Sequence, residues 1–285
     1  MKEIFEESGW LAINKPEGIE SFGIIRELKF KFKFKKIGFV GTLDPLASGV
    51  LLVAINKATK LIPKMHLKNK HYELIIFFGA ETKSLDIESR YTNYKKLNHD
   101  PEKRLEKIRN FIGSYNQKIP IFSAHKINGK NFYQLARKNQ NLTHKYKGIE
   151  VSSLKIISNT DHTMSIKIEC SAGFYVRSFA SELSYELNEL GYAISIKRTK
   201  IGDIDINKCL DIIDKIVKPS VLNLDFQSLE EFDELLLSLD NTKNKSNLGG
   251  NTILSLSMSY CKALAKSQNL ELYEFFDPST QNYNS

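Results

Sequence analysis

Six consecutive apolar residues, Val50-Leu51-Leu52-Val53-Ala54-Ile55, constrain this chain more than any other stretch. A short apolar run with no polar break reads as a buried strand, and it anchors whatever loop precedes it. That loop is Gly41-Thr42-Leu43-Asp44-Pro45-Leu46-Ala47-Ser48-Gly49. Asp44 is the sole acid between Ile37 and Ala54. It stands between a glycine-punctuated turn (Gly38, Gly41) and Pro45, and proline pushes the residue before it out of the helical region. An extended acid at the tip of a rigid loop suits a nucleophile or a general base. The same residues also suit an ordinary Asp-Pro turn, and composition alone favours the turn.

The 285 residues are enough for one large core or two modest ones. With 41 basic and 33 acidic residues the formal charge is +8, which points to a polyanionic partner, nucleic acid ahead of a membrane surface. Cys170, Cys209 and Cys261 are too few and too far apart for a disulfide framework or a zinc site, as expected of a reducing cytoplasm. No histidine pattern suggests a metal centre, and no glycine motif suggests a nucleotide cofactor. The start of the chain, Met1 to Glu7, has acids where a signal peptide has basic residues, and no apolar stretch approaches a membrane span. A cytoplasmic protein without cofactor, metal or membrane association is expected.

Trp10 to Asn14 reads as a short strand stopped by Lys15-Pro16-Glu17-Gly18. Ser21 is placed to cap a helix with Ile24, Ile25 and Leu28 on one face. Lys29 to Lys36 then alternates lysine and phenylalanine with period two. Either an amphipathic strand begins there, or the two residue types wrap a helix end. Basic residues interleaved with aromatics suit a nucleic-acid surface; rings turned inward with solvated lysines is the favoured reading for the rings, and under either the lysines are within reach of RNA phosphates. Pro63 limits any helix that follows Lys57. His71 to Gly79 and Met164 to Cys170 read as strands. Residues 101–112 have helical spacing, as does the stretch holding Phe179, Ala180, Leu183, Leu187 and Leu190, which Gly191 closes. Ser228-Leu229-Glu230-Glu231 is a capping box before an amphipathic helix.

Gly41 to Gly49 resembles the catalytic motif G-(T/A)-L-D-P-x-A-(S/T)-G of the TruB-type pseudouridine synthases, the bacterial tRNA pseudouridine-55 synthases. The resemblance implies an α+β fold: a mixed, mostly antiparallel sheet with flanking helices, a central catalytic cleft and an inserted RNA-clamping segment, here about 113–148. It implies Asp44 as the nucleophile. Asn14-Lys15-Pro16-Glu17-Gly18 matches the family's (D/N)-K-P-x-G, which makes Lys15 a phosphate or loop contact. Ala58-Thr59-Lys60 also matches, and Lys60 joins the substrate contacts. Tyr72 falls where the family has a tyrosine that stacks on the target base and is implicated in proton abstraction. The segment from Pro120 to Arg137 resembles the family's P-x-(Y/F)-S-A-x-K-x-x-G-x-x-x-Y-x-x-A-R, with Lys126, Lys130 and Arg137 as phosphate contacts. Ser171 to Arg177 resembles (S/C)-x-G-(T/F)-Y-(I/V)-R, whose arginine pairs with the catalytic aspartate. In that role the Arg177 fork holds Asp44 ionised and oriented. Ala193 to Thr199 matches the family's V-x-x-L-R-R strand, with Ile196 lining the uracil pocket.

Two positions depart from the pattern. Phe39 replaces the histidine that contacts the T-loop and helps hold the extruded base; it keeps a stacking surface but donates no hydrogen bond. Lys83 replaces the middle acid of G-x-x-T-D-T-x-D. The resemblance runs from about Trp10 to about Ile204. It implies a catalytic domain over 1–220 and a divergent segment over 221–285 with no convincing strand pattern of the family's RNA-binding PUA domain. The implied activity is conversion of a uridine in the tRNA T-arm to pseudouridine by a monomer with no obligate protein partner. Two other classes compete: a tRNA-binding module without catalysis, and a glycoside hydrolase. The latter needs a second positioned acid, and none of Glu73, Asp86 or Glu182 stands out. The same chemistry on another RNA is the nearer rival.

Overall fold

The computed structural model describes residues 8–97, 101–123, 126–127, 130–131, 145–206, 212–222, 224–243, 245, 247–270 and 275. The first half comprises β1 (Gly9–Lys15), α1 (Ser21–Phe32), β2 (Ile37–Val40), β3 (Ser48–Ile55), a 3₁₀ turn (Asn56–Leu61), α2 (Ile62–His66), β4 (Lys70–Phe78), β5 (Ala80–Thr82), β6 (Tyr91–Tyr94), α3 (Pro101–Ile108) and β7 (Gly113–Lys118). Two short strands follow, β8 (Lys126–Ile127) and β9 (Lys130–Asn131), then β10 (Tyr146–Asn159), β11 (Thr163–Cys170), α4 (Val176–Glu186), β12 (Gly191–Ile201) and β13 (Ile204–Asp205). The C-terminal part holds α5 (Lys218–Val221), α6 (Leu229–Asp240) and α7 (Gly250–Ser267).

The apolar run is β3, and every residue from Gly49 to Ile55 is buried. β1 pairs with it antiparallel along its length, Gly9 opposite Ile55 and Lys15 opposite Gly49. Its other edge is shared. β2 takes residues 52–55 antiparallel, and β12 takes Ser48 and Gly49 parallel. The main sheet runs β1-β3-β12-β4-β11-β10-β7, and every ladder in it except β3–β12 is antiparallel. Along β4 the buried residues are Lys70, Tyr72, Leu74, Ile76 and Phe78, alternating with half-buried ones. This is the two-residue period of a sheet with one covered face. The cover is α4, whose Phe179, Ala180 and Leu183 enter the core with Phe78, Phe111 and Phe174.

Several expectations need correcting. Of the two readings of the lysine–phenylalanine stretch, the helix end holds: helix α1 continues to Phe32 and ends on Lys33 in the left-handed conformation (φ +50°). Phe34 then turns inward and stacks with Phe32, while Phe30 stays 84% exposed, so the rings do not all point inward. Ser21 does not cap α1; Glu20 occupies the cap and Ser21 bonds to Leu43, in the loop between β2 and β3. Pro63 sits in the first turn of α2, where its missing N–H has no partner to lose. Gly191 opens β12 rather than closing α4, and Asn188 supplies the left-handed turn between them (φ +55°).

Helices α6 and α7 pack on each other around Val217, Phe232, Leu236 and Leu248, with Phe226 and Tyr260 completing the cluster. The capping box holds, with Glu231 N–H donating to Ser228 Oγ at 3.2 Å. Among the described residues no strand follows Asp205, and no helix is long and apolar enough to cross a membrane.

Candidate active site

The loop between β2 and β3 is held at almost every residue. Leu43, Leu46 and Ala47 bury their side chains. Asp44, Pro45, Leu46 and Ala47 form a turn closed by Ala47 N–H donating to Asp44 O at 3.0 Å, with Pro45 at the position that favours it. Asp44 is thus both a turn residue and the tip of the loop. Ser21 Oγ donates to Leu43 O (2.8 Å) and accepts from Leu43 N–H (3.0 Å). Pro45 O accepts from Gly18 N–H at 2.8 Å and from Lys15 Nζ at 3.0 Å. Gly49 has φ +98°, and a Cβ there would lie 2.1 Å from the Arg198 carbonyl oxygen, so β12 can approach this point only because the residue is glycine.

Arg198, on β12, grips the loop from below. Its guanidinium, 1% exposed, donates to Val50 O (2.8 Å), Gly41 O (2.9 Å) and Val40 O (3.4 Å). One side chain thereby joins both sides of the Asp44 loop. Tyr72 is its cross-strand neighbour on β4, and Ile168 on β11 lies on the other side of Tyr72. Burial pushes the Tyr72 phenol above its ordinary pKa, and the neighbouring Arg198 charge pulls the other way. Tyr72 therefore stands as a neutral phenol beside the loop, in one core cluster with Leu43 and Ile196.

Arg177 lies in the first turn of α4. Its Nε is 2.8 Å from Asp44 Oδ2 and its Nη2 donates to Asp44 Oδ1 at 3.2 Å, a bidentate fork. The remaining N–H groups donate to Ser84 O (2.8 Å) and Phe122 O (2.9 Å). A second carboxylate, fully buried Asp86, faces the same guanidinium at 3.3 Å. Asp86 accepts from Ser84 Oγ (2.5 Å) and Glu88 N–H (3.0 Å). The Asp44 side chain keeps 38% of its surface accessible, whereas Arg177 and Asp86 are enclosed. The protein walls around Asp44 push its pKa up, Arg177 pulls it down, and Asp86 pushes it up again, leaving it above the ordinary aspartate value. The result is a fixed carboxylate with one open face.

Of its two alternatives Lys15 takes the loop contact: fully buried, it donates to Pro16 O (2.8 Å), Ile19 O (2.7 Å) and Pro45 O (3.0 Å), so its ammonium serves the loop and has no exposed face for a phosphate. Phe39 is half-buried on β2 and meets exposed Phe22 edge to face, ring centres 5.3 Å apart. Lys60 is exposed on the 3₁₀ turn at the far end of β3 from Asp44. The backbones at Lys126 and Lys130 form the β8–β9 pair, and Arg137 lies outside the described residues. Sequence reasoning missed Ser21, Asp86 and Arg198 as parts of the site. Arg198 stood inside a matched strand motif, and Asp86 inside a partly matched one. Lys70 is a further buried cation nearby; burial first and Arg198 second bring its pKa down to about 8.

The sequence model described as TruB family pseudouridylate synthase (N terminal domain) matches residues 29–176. The tRNA pseudouridine synthase B of Malacoplasma penetrans (strain HF-2) is 37% identical over 210 residues, covering 72% of this chain and 89% of that protein. That of Mesoplasma florum is 32% identical over 240 residues, covering 84% and 83%. This chain therefore belongs to the TruB family of pseudouridylate synthases. Among solved structures, a Cbf5-Nop10-Gar1 complex aligns with TM-score 0.55 at 20% identity, over 79% of this chain and 58% of that one. An H/ACA RNP bound to a substrate RNA containing 2'-deoxyuridine aligns with TM-score 0.52 at 18% identity, over 76% and 56%. The chain spans little more than half the length of those two, and the likeness shows the fold alone. A second model, enolase N-terminal domain, matches residues 150–276. That span begins within β10, whose neighbour β11 is hydrogen-bonded to β4, so it is not a separate unit of this structure.

Proposed function

We propose that this protein converts a uridine in the T-loop of tRNA, at position 55, to pseudouridine. The observation that carries the reading is Asp44 itself: a carboxylate held bidentate by Arg177 on an immobilised loop, with one face open. The target nucleotide leaves its stack to reach that face. Asp44 adds either to C1′ of the ribose or to the uracil ring. The bond from C1′ to N1 breaks, the uracil turns within the pocket, and C5 bonds to C1′. The proton on C5 is lost, N1 gains one, and the atoms balance without a cofactor. Tyr72 stacks on the base and, as a neutral phenol, is available to the C5 proton transfer. Ile196 lines the uracil pocket, and Lys126, Lys130 and Arg137 grip phosphates of the T-arm. Residues 1–220 form the catalytic domain, and 221–285 form a divergent C-terminal segment. The protein works as a cytoplasmic monomer.

The test is incubation of purified protein with an unmodified tRNA transcript, no cofactor added, followed by chemical mapping of pseudouridine. A single product at position 55 is expected. Tight tRNA binding without any product would overturn the catalytic reading in favour of a binding module.

A further inference from the structure

Two hydrogen bonds fix the point where α4 begins. Gln117, on β7, is fully buried. Its side-chain Oε1 accepts from Tyr175 N–H at 2.7 Å, and its Nε2 donates to Tyr175 O at 3.1 Å. Tyr175 is the extended residue just before the helix (φ −108°, ψ 105°), and its own side chain does not cap the first turn. In an extended residue the N–H and C=O point to the same side, so one amide serves both, as a neighbouring strand does in an antiparallel pair. A single bond would let the residue pivot about it, and the pair does not. Val176 and Arg177 follow directly, and Arg177 carries the fork on Asp44.

Two more bonds tie the same strand end to α4. Lys118 N–H donates to Glu182 Oε1 at 2.8 Å, and Arg177 Nη2 donates to Phe122 O at 2.9 Å. Gln117, Lys118 and Phe122 thus meet partners 55 to 64 positions further along the chain, all at the start of one helix. An apolar side chain of the same length would fill the place of Gln117 but leave the Tyr175 N–H without its acceptor. We infer that Gln117 is a positioning residue for Arg177: its amide sets the direction in which the first turn of α4 presents the guanidinium, and through it the Asp44 carboxylate. Gln117 makes neither of the two bonds to Asp44. A bidentate fork depends on direction, because a tilted guanidinium offers the carboxylate one N–H instead of two. The inference rests on the proposed catalytic role of Asp44 and adds what aims its partner.

The experiment uses two substitutions in the full chain. Gln117→Met keeps the length of the side chain and removes both hydrogen bonds. Gln117→Asn keeps the amide but is one methylene shorter, so it does not span both groups of Tyr175; it carries the test if the methionine variant fails a thermal melt. Each is measured alone and combined with Arg177→Lys, by single-turnover pseudouridine formation and by tRNA affinity. Alone, Gln117→Met should slow turnover roughly 30- to 100-fold and Gln117→Asn less, with affinity within about threefold of wild type. In the Arg177→Lys background either substitution should cost less than about threefold, because the group it aims is gone. Losses of the same size in both backgrounds would overturn the inference, as would unchanged turnover in both single variants. A readout without turnover is the Arg177 Nε–H signal in a nitrogen NMR spectrum, assigned by its loss in Arg177→Lys. It should shift in both Gln117 variants, and an unmoved signal would overturn the inference. A wild type that forms no pseudouridine would contradict the proposed activity instead, and the Arg177 signal would still decide the role of Gln117.

Discussion

At the N-terminal end of β3 the basic side chains are buried, and at its C-terminal end they are exposed. Lys15, Arg177 and Arg198 point inward, onto backbone carbonyls of the β2–β3 loop and the Asp44 carboxylate. Lys35, Lys36, Lys57 and Lys60 point outward around a groove. A buried cation left without partners is strongly destabilising, so each inner one has its hydrogen bonds supplied by the loop it fixes. An exposed lysine pairs weakly with surface acids and remains available to a phosphate. The lesson is that the two groups should fail differently: inner substitutions should damage stability and turnover at any salt, outer ones should change affinity in a salt-dependent way.

Arg198→Lys gives the largest of these effects. The lysine keeps the charge but loses the fork that reaches Val40 O, Gly41 O and Val50 O together. Urea unfolding should show a loss of about 2–3 kcal/mol, and kcat should fall with little change in the salt slope of tRNA binding. Full stability with a shallower salt slope would break the contrast between the two ends of β3. A Lys35→Gln/Lys36→Gln/Lys57→Gln variant comes next, with an expected loss of tRNA affinity of about tenfold, equivalent to about 1.4 kcal/mol, that shrinks as salt is raised.

Glu182 offers the smallest effect and sharpens the inner half of the comparison. It lies on α4 beyond Arg177, accepts from Lys118 N–H at 2.8 Å, and burial pushes its pKa up to about 7. The native state therefore holds the Glu182 proton more tightly than the unfolded chain, and stability falls as pH rises from about 4.5 through 7. Glu182→Gln keeps an acceptor for Lys118 and removes that penalty. It should gain about 1 kcal/mol at pH 8 and nothing at pH 5, after allowance for partial exposure. A gain that is the same at both pH values would contradict a titrating Glu182.

The legible parts of this molecule are those in which neighbouring residues carry the signal. The Val50–Ile55 run is β3, the Ser228–Glu231 box caps α6, and the loop motif places Asp44 at a tip facing Arg177. What stayed hidden depends on contacts between distant residues. Ser21 and Leu43 are 22 positions apart, Lys15 and Pro45 are 30 apart, and Arg198 reaches back 157 positions to Gly41. A serine before an apolar repeat looks like a cap, and a lysine before proline looks like a surface turn, until the sheet brings their partners close. The Lys-Phe alternation left strand and helix end both open for another reason. Period two is a strand signal only where a sheet offers a face to cover, and helix α1 carries straight through its first half before Lys33 ends it.

The most direct test of the account is Asp44→Asn, with pseudouridine formation and tRNA affinity measured on the same preparation. Asparagine keeps the turn and the side-chain volume but removes the ionised oxygen that faces the open side of the site. The expected result is a loss of turnover of roughly 10³-fold or more, with tRNA affinity within about threefold of wild type. Turnover retained near the wild-type rate would contradict Asp44 as the nucleophile and, with it, the reading of the buried cations as the frame that presents it.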